Sequence, residues 1–190
     1  MSVSGFIILA IVVVAAGYAV AIYNSLVSVK HNVSKAWSNI DVLLKQRHDE
    51  LPKLIETCKQ YMKHEKETLE QVMLARSGVS EALGKSDVAG VGQAETKMRQ
   101  GLLNLFAVAE AYPDLKADRS FQALQKRISD LENNIADRRE YYNESVNANN
   151  VRIEQFPDIL IARFFNFKDV DLLEFEESEI ADVNVKDMFG

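Results

Sequence analysis

GFIILAIVVVAAGYAVAIY, residues 5–23, carries no charged side chain, and the first one in the whole chain is Lys30. About 20 apolar residues in a row suffice to cross the hydrocarbon core of a bilayer. The run from Gly5 and Phe6 through Gly17 to Tyr23 is therefore expected to be a membrane span. A cleaved secretory signal is the rival reading, because Ala19-Val20-Ala21 has the small-x-small form of a cleavage site. Two features oppose it: residues 1–4 hold no Lys or Arg, and the apolar periodicity continues past Tyr23 without a break. The expectation is a retained anchor.

The basic residues Lys30, Lys35, Lys45 and Arg47 all follow the span. By the positive-inside rule this places the N-terminus outside and the body in the cytoplasm, the topology of a single-pass membrane protein. The lone Cys58 fits a reducing compartment and equally a buried structural thiol elsewhere. The chain carries a net charge of −6. From Asp169 onward, Asp169, Asp171, Glu174, Glu176, Glu177, Glu179, Asp182 and Asp187 stand against Lys186 alone. The acidity thus belongs to the tail and the body is near neutral, without the basic excess of a nucleic-acid binder.

Beyond the anchor nearly everything reads as helix. Leu26, Val29, Val33, Ala36, Ile40 and Leu43 alternate by threes and fours, which keeps one stripe on one face. Pro52 has no amide donor and disfavours a helical Leu51, so a break or sharp kink is expected near residues 49–51, a turn being favoured over a kinked rod, with Asp49 or Glu50 capping the next helix and Pro52 in its first turn. Cysteines or spin labels at Ile40 and Tyr61 would then face each other across a hairpin. The second helix takes Leu54, Ile55, Cys58, Tyr61, Met62, Leu69, Val72 and Leu83, and stops at Gly84. A third over residues 91–112 takes Ala94, Met98, Leu102, Leu105, Phe106 and Ala109. A fourth, capped by Asp118, takes Phe121, Leu124, Ile128, Leu131, Ile135, Tyr142, Val146 and Ile153.

Four helices with short connections imply an all-α antiparallel four-helix bundle. The expected organisation is an anchor over 1–28, the bundle over 29–157, an aromatic membrane-proximal segment over 158–168 and an acidic tail over 169–190. An even number of helices returns the chain to its membrane end, where Phe156-Pro157 precedes Ile159-Leu160-Ile161-Ala162-Arg163-Phe164-Phe165-Asn166-Phe167. That segment either packs beneath the bundle or presents Phe164, Phe165 and Phe167 to the lipid interface.

Several blocks carry a family resemblance. Lys45-Gln46-Arg47-His48-Asp49-Glu50-Leu51-Pro52-Lys53-Leu54-Ile55, then Glu110-Ala111-Tyr112-Pro113-Asp114-Leu115-Lys116-Ala117, then Arg138-Arg139-Glu140-Tyr141-Tyr142-Asn143 and Phe156-Pro157 together resemble the bacterial LemA family over residues 22–167. The chain departs from the pattern at Lys45-Gln46, at Lys53 and in its long acidic tail. The resemblance implies an N-terminal membrane helix and a helical domain facing the cytoplasm, in a family some of whose members accompany membrane-organelle formation. It implies no enzymatic activity.

The residues themselves add no catalytic or cofactor constellation. His31, His48 and His64 make no HExxH or paired-cysteine pattern, and there is no P-loop, GxGxxG or GxSxG. Adjacent His48 and Asp49 point apart on a helix. Tyr112-Pro113-Asp114-Leu115-Lys116 reads as a structural turn. Arg47, Arg138 and Asn149 fall on otherwise apolar stripes, and an arginine there must snorkel, pair with a carboxylate such as Glu65, Glu110 or Glu132, or face another subunit. Small residues four apart, Ala15 with Ala19 and Gly17 with Ala21, favour close helix contact in lipid. The sequence is thus read as a non-enzymatic membrane-anchored scaffold or adaptor. Its expected partners are lipid, further copies of itself and another membrane protein, with no nucleic acid, small-molecule substrate, cofactor or metal. A regulatory partner of a membrane protease or transporter is the alternative.

Overall fold

The computed structural model describes residues 3–175, and all their regular structure is helical: α1 (Val3–Tyr61), α2 (Lys66–Gly84), α3 (Val88–Ala109), α4 (Pro113–Ala117), α5 (Arg119–Glu154) and α6 (Asp158–Phe164). The described residues fall into two compact units, 3–40 with 138–172 and 41–137 with 173–175. The part of the tail beyond residue 175 lies outside the described residues.

The turn expected at Pro52 does not occur. α1 is one helix of 59 residues with Pro52 inside it, so Asp49 and Glu50 cap nothing, and Ile40 and Tyr61 lie on the same helix. A proline in mid-helix leaves the carbonyl four residues back without its N–H donor. Here that carbonyl belongs to His48, and it accepts a hydrogen bond from Arg76 Nε of α2 at 3.0 Å. The acceptor left idle by the ring is satisfied from a neighbouring helix, which removes one of the reasons for the chain to break. The first turn falls ten residues later, at residues 62–65, where Met62 N still bonds the carbonyl of Cys58.

In the unit of residues 41–137 and 173–175, one apolar core draws on α1 to α5: Leu51, Leu54 and Cys58 of α1, Leu69 and Val72 of α2, Met98 and Leu105 of α3, Leu115 of α4, and Phe121 and Ile128 of α5. α2 and α3 run antiparallel. A Cβ on Gly78 would lie 3.9 Å from Ala94 and one on Gly101 3.5 Å from Val72, so stepping back along one helix advances along the other. Their hairpin is not made by Gly84. Ser86 takes the left-handed conformation (φ 55°), with Ser86 N bonded to the Leu83 carbonyl and Asp87 N to that of Ala82, the paired bonds of a Schellman ending. Asp87 then caps α3 by accepting from Gly90 N at 2.9 Å. Asp118 caps α5, accepting from the amides of Ser120 and Phe121 at 2.8 and 2.9 Å.

In the unit of residues 3–40 and 138–172, Ile22 and Leu26 of α1 bury against Ala162 of α6, with Ile153, Ile161 and Phe167 packed around them. Val33, Ala36 and Ile40 continue the buried stripe of α1, while Val29 is half-buried. Trp37 and Tyr142 approach to 5.4 Å between ring centroids. α6 ends on Asn166, also left-handed (φ 57°), a conformation asparagine tolerates better than most residues. The chain beyond it is extended and fastened to α5. Asn150 accepts from Val170 N at 3.0 Å and donates to the Val170 carbonyl at 2.9 Å, Asn149 donates to the Lys168 carbonyl at 3.3 Å, and Tyr142 to that of Asp171 at 3.0 Å. Asn150 thus replaces, with one amide side chain, the pair of bonds a neighbouring strand would give.

Candidate membrane interface

The apolar first part of α1 is almost wholly uncovered: of its most apolar 18 residues only 6% are buried. A core helix of the same composition would be mostly buried. Phe6, Ile7, Ile8, Leu9, Ile11 and Val14 all stand exposed on successive faces, so no single side is reserved for the protein. Gly5 is half-buried, and Gly17 has no atom within 4 Å of where a Cβ would stand. The first burial begins at Ile22, beside Tyr23, where the apolar run ends.

At that level α6 packs alongside. The Tyr23 ring lies 4.6 Å from Phe165 and 6.0 Å from Phe167, and Phe164 meets Phe165 edge-on at 5.0 Å. α6 divides its residues by face. Ala162 and Ile161 turn to α1, while Leu160 and Phe164 face outward, Phe164 being 81% exposed. Asp158 is buried under the helix and accepts from Arg152 Nε of α5, which fixes the start of α6. One face of this segment is packed against α1 and the other is open. Phe156 stands 82% exposed before α6, and Arg163 and Lys168 are exposed cations beside the open aromatic face.

Among the polar residues expected on apolar stripes, Arg47 is 1% exposed. Its two terminal nitrogens donate to Glu95 of α3 and Glu132 of α5. Of its anticipated carboxylates only Glu132 is used; Glu65 accepts instead from Tyr112 Oη at 2.9 Å, and Glu110 pairs with Lys116. Glu95 has no precedent in the sequence reading. Burial pushes its carboxyl up despite the arginine, and its Oε2 has no hydrogen-bond partner among the described residues. Burial alone would depress Arg47, yet the attraction of Glu95 and then Glu132 raises it, so the guanidinium stays charged. Arg138 corrects the register: it is exposed, and Arg139 is the half-buried neighbour, while Asn149 is buried and holds the extended segment.

Several of the remaining motif residues stand at joints. Glu110 follows the last residue of α3, Pro113 opens α4, Asp114 is exposed, and the Lys116 carbonyl accepts from Gln122. Leu115 between them is fully buried. Burial, followed by the charge of Arg76, lowers the His48 imidazole, and Asp49 is exposed. Burial and hydrogen bonding keep Tyr142 occupied, with its hydroxyl pushed up to about 12 by burial first. Asn143 is half-buried on the next position, and Pro157 leads into α6. Sequence reasoning missed Glu95, Arg76 and Asn150. Glu95 alone left a signal, an acid among Val91, Met98 and Leu102 on the buried face of α3.

Among the described residues these features define an all-helical protein with one candidate N-terminal membrane span. The chain belongs to the LemA family, which it matches over residues 36–186. It is also similar to the magnetosome protein MamQ of Magnetospirillum gryphiswaldense, 23% identical over 189 residues that cover 86% of this chain and 68% of that protein. Neither similarity brings an enzymatic assignment.

Proposed function

We propose that this protein is a non-enzymatic scaffold or adaptor, anchored in the bacterial inner membrane by α1 and self-assembling in the plane of the bilayer. The observation that carries this reading is the open flank of α1 around Gly17, where Ala15, Gly17, Ala19 and Ala21 leave space for a second helix to approach. The N-terminus lies outside and the helical body, read as a four-helix bundle of α2, α3, α5 and the end of α1, lies in the cytoplasm. The open face of α6 meets the lipid interface as a second bilayer contact. A relative that is a magnetosome protein accords with a membrane-organising role. Native mass of the full-length protein in several mild detergents and in nanodiscs tests the assembly: a homogeneous oligomer is expected, and a monomer throughout contradicts it.

A regulatory partner of a membrane enzyme is the second reading. It is favoured by a cleft of about 640 Å³ between α2 and α3, floored by Gly78, Ala94 and Gly101 and edged by exposed Leu74. Copurification of one membrane protease or transporter in fixed ratio, lost on Gly78→Leu, would support it over self-assembly.

A further inference from the structure

Where α1 leaves its apolar run, a cleft of about 330 Å³ opens between Tyr23, Val27, Lys30 and His31 on one side and Phe165 and Asn166 on the other. Its lining is of two kinds. Tyr23, Val27 and Phe165 give it an apolar part near the end of the exposed span in sequence, whereas Lys30, His31 and Asn166 give it a polar part. Lys30 makes no ion pair among the described residues; its ammonium sits 5.9 Å from the centroid of the Phe167 ring, which holds it over the cleft without neutralising it. His31 is exposed beside it.

The depth of the cleft also matters. Lys30 follows Tyr23 by about 10 Å along the axis, at roughly 1.5 Å per residue. Side chains on a helix tilt toward its N-terminus, here toward the span. The Lys30 ammonium therefore reaches back into the layer, roughly 5–8 Å thick, that holds the headgroups on each side of the hydrocarbon. A cation there, with an apolar part of the cleft beside it, matches a diester phosphate attached to acyl chains better than a free anion, which has nothing to place on the rings.

We propose that this cleft binds the headgroup phosphate of an anionic phospholipid, with Lys30, His31 and Asn166 as donors and Tyr23, Val27 and Phe165 against the glycerol and first methylenes. The proposal rests on the reading that this end of the molecule lies in the lipid interface. It adds a defined lipid to what would otherwise be nonspecific contact.

Native mass spectrometry of the full-length protein, ejected from nanodiscs of equal phosphatidylcholine and phosphatidylglycerol, tests it. One phosphatidylglycerol retained per copy in preference to phosphatidylcholine is expected. The Lys30→Gln/His31→Gln variant should lose that preference by about fivefold or more, the effect of removing one charge or more near a headgroup. Lys126→Gln, an exposed position of α5 that does not line the cleft, should keep it. Retention blind to headgroup charge, or a preference unchanged in the double variant, overturns the proposal. Displacement of the lipid by millimolar inorganic phosphate overturns the lipid as occupant. Contact with the bilayer is read independently, by quenching of Phe165→Trp emission with brominated lipid in a Trp37→Phe background. Quenching without headgroup preference removes the pocket alone, whereas absent quenching removes the interface reading beneath it.

Discussion

Arg47 shows what one residue inside this fold must satisfy. It is buried among apolar side chains, its charge is held by Glu95 and Glu132, and Glu132 is shared with Arg99 at 3.6 Å. Removing one member of a buried ion pair leaves the other uncompensated and costs about 3–5 kcal/mol. Arg47→Met should therefore lower the denaturation free energy of the full-length protein by that order, and adding Glu95→Leu should restore most of it. The pH dependence has a definite sign. Without Arg47 the Glu95 carboxyl, already raised by burial, rises further. A group whose folded value is raised stabilises at low pH and loses that contribution as pH rises through the folded value. Arg47→Met should consequently gain stability as pH falls from neutrality toward the ordinary carboxylate range, and a variant that loses stability over that interval would refute the assignment. Ser86 offers the opposite kind of change. Its left-handed backbone suits glycine, so Ser86→Gly should raise the thermal midpoint, by about 1 kcal/mol in free energy.

At the scale of elements, the continuity of α1 depends on a contact with another helix. Because Pro52 idles the His48 carbonyl and Arg76 occupies it, the two residues should be energetically coupled. Arg76→Ala should cost about 1 kcal/mol or more in the native sequence and less in a Pro52→Ala background, where an amide donor returns. A double-mutant cycle additive within about 0.5 kcal/mol would mean that the proline and the arginine act separately. This contact also explains what the sequence conceals. Pro52 is a strong local signal for a break, and the donor that overrides it stands 24 positions away in α2. The actual turn at residues 62–65 holds Lys63-His64-Glu65 and neither Gly nor Pro. The stripes of α3 and α5 were legible because each buries one face, as Met98, Leu102 and Leu105 or Phe121, Ile128 and Ile135 do. Asp118 could be identified as a cap because capping is a local bond to the next amides. The Asn150 clasp on Val170 was not, since an asparagine on a helix gives no sign of which distant backbone it will hold.

For the molecule as a whole, the proposed function requires the protein to meet the bilayer twice, through α1 and through the open face of α6. The apolar run of α1 was plain from composition, because about 20 uncharged residues are long enough to cross the hydrocarbon core of a bilayer. The division of α6 into a packed and an open face required the structure, since Ile161 and Leu160 are adjacent, similar in character and opposite in exposure. The direct test is fluorescence from Phe165→Trp in a Trp37→Phe background, which removes the native tryptophan, with the full-length protein reconstituted in vesicles. A ring seated at the interface gives blue-shifted emission that brominated phospholipid quenches, and that is the predicted result. Emission that brominated lipid leaves unchanged would place Phe165 away from the bilayer and contradict the second contact.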